Sequence, residues 1–181
     1  MSETDWFERA SAVARDYADS ETIGRLLRKL DVRAIGEDEL RFGFRLGLLR
    51  PADAVSLELA RLKAGVPLSS AEEQVALTLS DSLDQVEPLI ATQPSDEGGA
   101  DPRRLWHFLM VAAARARWER LGEPRLELRE IEEVWGPSNL PAEVMRTRGL
   151  DNFYFGRAAQ RRFVERVDRY LSDEEEYLRG K

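Results

Sequence analysis

The chain has 181 residues, 43% of them hydrophobic and 34% charged, and a formal net charge of −7, a composition that belongs to a globular protein able to bury a core without disulfides. Its mean hydropathy of −0.47 and the lack of any long uncharged apolar run exclude a membrane span, and its first residues carry acids where a secretory signal would carry a basic segment and then an apolar one. There is no cysteine and one histidine, His107, which removes most carriers of nucleophilic and transition-metal chemistry, implies no cofactor, and leaves the cytoplasm as the expected compartment.

Charge is divided along the chain. Residues 1 to 101 hold 11 basic and 20 acidic side chains, whereas residues 102 to 170 hold 14 and 10, and all 14 of those bases are arginine. A genome rich in G and C accounts for arginine over lysine; the functional alternative is an acidic lobe that attracts a basic partner.

In chain order, Asp5 and Glu8 open a helix whose apolar row is Trp6, Ala10, Val13 and Tyr17. After a polar break at Asp19, Ser20 and Glu21, the residues Ile23, Leu26, Leu27 and Leu30 continue the period, as one bent helix or two short ones. Glu37, Asp38 and Glu39 suit a first helical turn. Residues 40 to 49 alternate like a strand, but a strand needs a partner and only residues 125 to 128 offer one; helix is favoured, with Gly43 and Gly47 allowing close approach of a neighbour. Pro51 starts the next helix, Val55, Leu59 and Leu62 line one face, and Gly65 ends it. A capping box, Ser69 with Glu72 or Ser70 with Glu73, precedes a helix bearing Val75, Ala76 and Leu79, and Pro88 limits a short one bearing Leu83, Val86, Leu89 and Ile90.

Residues 93 to 102 combine prolines, glycines and acids and form the one convincing linker, the place for any subdomain boundary in what otherwise reads as a single domain over 1–181. Residues 105 to 118 are apolar on nearly every side, the mark of a central helix. A shorter helix ends at Trp135, and Phe155, Ala159, Phe163, Val167 and Tyr170 form the apolar row of the last, with Arg161, Glu165 and Arg169 outside and Ser172 with Glu175 placed to cap a final acidic turn or fray. The expected fold is all-α, a bundle of seven to nine helices with room for one short two-stranded β element.

His107 shares a row with Val111, Ala114 and Trp118, which predicts a buried imidazole bonded to a carbonyl or carboxylate. Neither a GxSxG elbow nor a phosphate-cradling glycine motif occurs. On one continuous helix, Glu73, Asp81 and Asp84 would fall within a quarter-turn, and the set resembles, distantly, the magnesium carboxylates of all-helical nucleotide pyrophosphohydrolases; Ala76 stands where a further acid belongs, and Asp81 and Asp84 also suit a helix cap and first turn. Paired helices keep a DNA-binding regulator as a third function, against which the acidic first half argues. Trp135, Arg146, Arg148, Phe153 and Tyr154, mixed with loop-forming residues, have the composition of a protein-binding hot spot, or else the aromatics close the core over the central helix.

The segments FGFRLGLLRPADAVSLELARL, residues 42 to 62, and REIEEVWGPSNLP, residues 129 to 141, resemble a bacterial family catalogued as a domain of unknown function. The resemblance implies helix for residues 40 to 49 and carries over no functional residue. Small acidic proteins of this kind also resemble immunity proteins, partners of secreted toxins, many of which are basic nucleases. The resulting expectation is a module that binds another protein, in immunity or antitoxin form a basic one, through the acidic first half or residues 135 to 155.

Overall fold

The structure is a computed structural model that describes residues 3–30, 35–91, 101–118, 124–135 and 157–179. Among these lie nine α-helices: α1 (Glu3–Tyr17), α2 (Ser20–Leu27), α3 (Glu37–Arg45), α4 (Pro51–Lys63), α5 (Ser70–Ala76), α6 (Val86–Ala91), α7 (Pro102–Arg117), α8 (Pro124–Trp135) and α9 (Arg157–Arg179). A 3-10 turn, Leu83–Gln85, leads into α6. The segment 40–49 is helical through Arg45, as favoured, and the described residues contain no strand, so the two-stranded β element for which the sequence left room is not found there.

Helix boundaries follow side-chain chemistry. Asp19 separates α1 from α2 by accepting the amide of Thr22 at 2.6 Å, which decides for two helices over one bent one. Glu39 accepts the Gly36 amide at 3.0 Å, with Glu37 and Asp38 beside it in the positive first turn of α3. Pro51 opens α4, and Gly65, at φ +71°, follows its C-cap in a conformation that costs glycine nothing. The capping box of α5 uses Ser69 and Glu72. At the far end, Ser172 and Glu175 neither cap nor fray: α9 runs through them to Arg179, because Leu178 is buried and Glu174 is held by Arg104 at 2.8 and 2.9 Å.

Helix α7 is the axis of the fold and packs against α1, α2, α3, α8 and α9. From Leu105 to Ala114 only Ala112 escapes full burial, as an all-round apolar helix requires. At the contact with α3, Trp106 donates its indole N–H to the Glu39 carbonyl at 2.8 Å and lies across Gly43. Gly47, by contrast, meets no neighbour; its φ of +69° serves the turn after α3. On the other side Trp6, Phe7, Phe42 and Trp135 join α1, α3 and α8 in one aromatic cluster, locked by the Trp6 indole N–H on the Val134 carbonyl at 2.7 Å.

Helices α4, α5 and α6 pack on one another, and α6 reaches α3. The inward side of α4 is not the expected row. Ala54, Leu57, Glu58 and Arg61 are buried, Val55 and Leu59 are half-buried, and Leu62 is exposed. The face is turned by charge: Arg61 bridges the Glu58 carboxylate at 2.8 Å and Glu72 of α5 at 2.5 Å, so three ionisable groups occupy the seam between the two helices. Burial pushes the Glu58 carboxyl up to about 7 against the opposing pull of Arg61. Asp53 is likewise buried, held by Arg50 at 2.7 Å and Arg28 at 3.2 Å, and its carboxylate fills the space that Gly24 of α2 leaves open.

Candidate functional site

His107 is buried in α7 between two partners. Its Nε2 lies 2.9 Å from Glu132 Oε1 of α8 and its Nδ1 3.0 Å from the Tyr170 hydroxyl of α9. A carboxylate accepts, so the pairing that satisfies every atom puts the imidazole proton on Nε2 and lets Nδ1 accept from Tyr170. Burial, reinforced by the nearby Glu174 and Glu132, holds the Tyr170 phenol far above its ordinary range and keeps it a donor. The expected carboxylate partner is therefore Glu132, with a tyrosine added that sequence spacing could not supply. All three side chains are buried and committed to one another, so the chain of bonds ties α7, α8 and α9 together inside the core.

Trp135 is buried too, 7% exposed, its ring 5.5 Å from that of Trp6. It sits in the wall of the core. Arg146, Arg148, Phe153 and Tyr154 lie outside the described residues, as does the expected linker up to residue 100. Four arginines of the second half meet the protein's own acids: Arg104 with Glu174, Arg115 with Asp168, Arg129 with Glu133 and Arg161 with Glu165. Each pair reduces the field that arginines would otherwise offer to phosphates.

Glu73, Asp81 and Asp84 are not on one helix. α5 ends at Ala76, Asp81 stands in the following turn and Asp84 in the 3-10 turn, where it serves as a first-turn acid. All three are exposed, and among the described residues no three acids or histidines gather to hold a metal ion.

What these acids share instead is a solvent-exposed stretch of the chain. From residue 64 to residue 91 the sequence has five acids and no lysine or arginine. One of the five, Glu72, is the buried partner of Arg61, and the other four, Glu73, Asp81, Asp84 and Glu87, are exposed. Among them lie Leu77 and Leu79, 68% and 69% exposed, more than any other large hydrophobic side chain among the described residues. The backbone that presents them is ordered by its own bonds: the Thr78 amide donates to the Val75 carbonyl at 3.1 Å, the Thr78 hydroxyl to the Gln74 carbonyl at 2.8 Å, and the Ser82 amide to the Leu79 carbonyl at 3.0 Å.

Helical spacing places Leu79 on the row of Val75 and Ala76, but the helix stops before reaching it, and the leucine points to solvent. The signal in the sequence was the run without a basic residue.

None of the curated proteins and none of the solved structures compared matches this chain. A family model does: the one described as "Uncharacterized protein conserved in bacteria (DUF2247)" matches residues 27–175, which takes in both sequence segments that resemble such a family and spans all of the structure from the end of α2 to late α9. The chain belongs to this conserved bacterial family, DUF2247.

Proposed function

We propose that the protein acts by binding a basic protein through the face formed by Leu77 and Leu79 with Glu73, Asp81, Asp84 and Glu87. The observation that carries this reading is the coincidence of two ordered, exposed leucines with a surface segment that holds only negative charge. Burying the remaining apolar area of each leucine is worth roughly 1–2 kcal/mol, enough to anchor a contact. Four unpaired-sign carboxylates around that anchor favour lysine- and arginine-rich partners, speed their encounter and repel acidic ones. An immunity or antitoxin role, in which the partner is a basic toxin, is the most concrete form of this function.

The test compares the wild type with two variants, Leu77→Ser/Leu79→Ser and Glu73→Gln/Asp81→Asn/Asp84→Asn, as baits in the native lysate. A near-equimolar basic partner, released by rising salt and lost by both variants, is the expected result. No stoichiometric partner, or one that both variants retain, overturns the proposal.

A further inference from the structure

The charges of α9 are sorted by sign along its length. Residues 157 to 169 hold five arginines and two acids, and residues 170 to 179 hold four acids and one arginine. A helix dipole favours acids near the N-terminus and bases near the C-terminus, and the first turn of α9 carries no acid, so this order does not serve the helix's own stability.

Much of the charge is neutralised within the chain. Arg161 pairs with Glu165, Arg179 with Glu175, Asp168 with Arg115 and Glu174 with Arg104. Five side chains of α9 make no ion pair among the described residues: Arg162, Arg166, Arg169, Asp173 and Glu176. At 3.6 residues per turn these five fall within an arc of about 80°, one stripe along the helix. Four of them are exposed, and the half-buried fifth, Arg166, has an Nε that meets no acceptor. Tyr177, 45% exposed, borders the stripe and adds apolar surface.

The stripe is basic from Arg162 to Arg169 and acidic at Asp173 and Glu176, which makes it complementary to itself when reversed. A two-fold axis level with residue 171 sets Arg169 against Asp173 of a second copy and Arg166 against Glu176 of a second copy, each pair occurring twice by symmetry. The same arrangement sets the two helix dipoles antiparallel.

We propose that two copies of this chain associate through this stripe, α9 against α9 in antiparallel orientation. Exposed ion pairs are worth little singly and are screened by salt, so the dimer is weak, reversible and favoured at low ionic strength. A neutral residue at 169 removes two of the four pairs and leaves the chain monomeric. The stripe shares no residue with the Leu77–Leu79 face, so the two proposals stand or fall separately.

Sedimentation velocity of the full chain at about 20 mM and about 0.5 M NaCl, over rising protein concentration, reads the association. A concentration-dependent dimer at the lower salt and a monomer at the higher are expected. Arg169→Asp and Asp173→Arg each set like charges face to face. Each alone is expected to weaken the dimer at least about tenfold while melting within about 2–3 °C of wild type, as changes at exposed side chains do. Mixed in equal amounts, the two variants should restore the dimer, because the aspartates of one meet the arginines of the other. A wild type that is monomeric at the lower salt, a dimer that survives the higher salt or both substitutions, or a mixture that stays monomeric would overturn the proposal.

Discussion

Gly43 of α3 lies so close to Trp106 of α7 that a Cβ on the glycine would stand 2.1 Å from the indole Cζ2. Alanine in place of a helical glycine ordinarily gains up to about 1 kcal/mol. Here the indole is fully buried and fixed by its bond to the Glu39 carbonyl, so it cannot step aside. Gly43→Ala is expected to destabilise the protein by about 2 kcal/mol or more, the cost of overpacking exceeding the helical gain. Urea unfolding of the variant checks this; a stabilised variant would show that α3 and α7 are not in this contact.

The Glu58–Arg61–Glu72 seam makes stability depend on pH. Because the folded Glu58 carboxyl is raised to about 7 from an ordinary 4.5, the folded protein binds a proton more tightly than the unfolded chain does. The stabilisation is fully present below pH 4.5 and is lost as pH rises through 7. Its size is at most about 3 kcal/mol. Glu58→Gln, neutral at every pH, should flatten this part of the curve, which denaturant titrations at pH 4.5, 6 and 8 would measure.

The Glu132–His107–Tyr170 chain is expected to act as one unit. Tyr170→Phe leaves the His107 Nδ1 acceptor unsatisfied in the core, at a cost of about 1–3 kcal/mol. Glu132→Leu orphans the other nitrogen by a similar amount. A double-mutant cycle between positions 107 and 170 should return a coupling above about 0.5 kcal/mol, as residues of one hydrogen-bonded network do. Additive effects would contradict the bonding described.

Leu77 and Leu79 contribute little to the fold. Leu77→Ser/Leu79→Ser should leave unfolding free energy within about 0.5 kcal/mol per site of wild type, as surface substitutions do. A larger loss would place these leucines in a core contact.

Much of the architecture was legible in the sequence. The central helix at residues 105 to 118, the Ser69–Glu72 box, the stop at Gly65 and the burial of His107 rest on local chemistry that neighbouring residues complete. Most of what failed depended on distant residues. The inward face of α4 is set by Arg61 meeting Glu72 eleven positions on, the persistence of α9 by Arg104 reaching Glu174, and the early end of α5 by a turn that periodicity alone does not mark. The candidate face was half-visible: Glu73, Asp81 and Asp84 stood out as acids, but as imagined metal ligands on a helix that the chain does not form. Trp135, read either as a surface anchor or as an aromatic that closes the core, is a wall of the aromatic cluster.

The most direct measurement places a photo-crosslinking amino acid at position 79 in the native cells, with the same probe at the exposed position 169 of α9 as control. The expected result is one adduct from position 79, to a basic protein, and none from position 169. No adduct from 79, an adduct to an acidic protein, or equal adducts from both positions would contradict binding through the Leu77–Leu79 face.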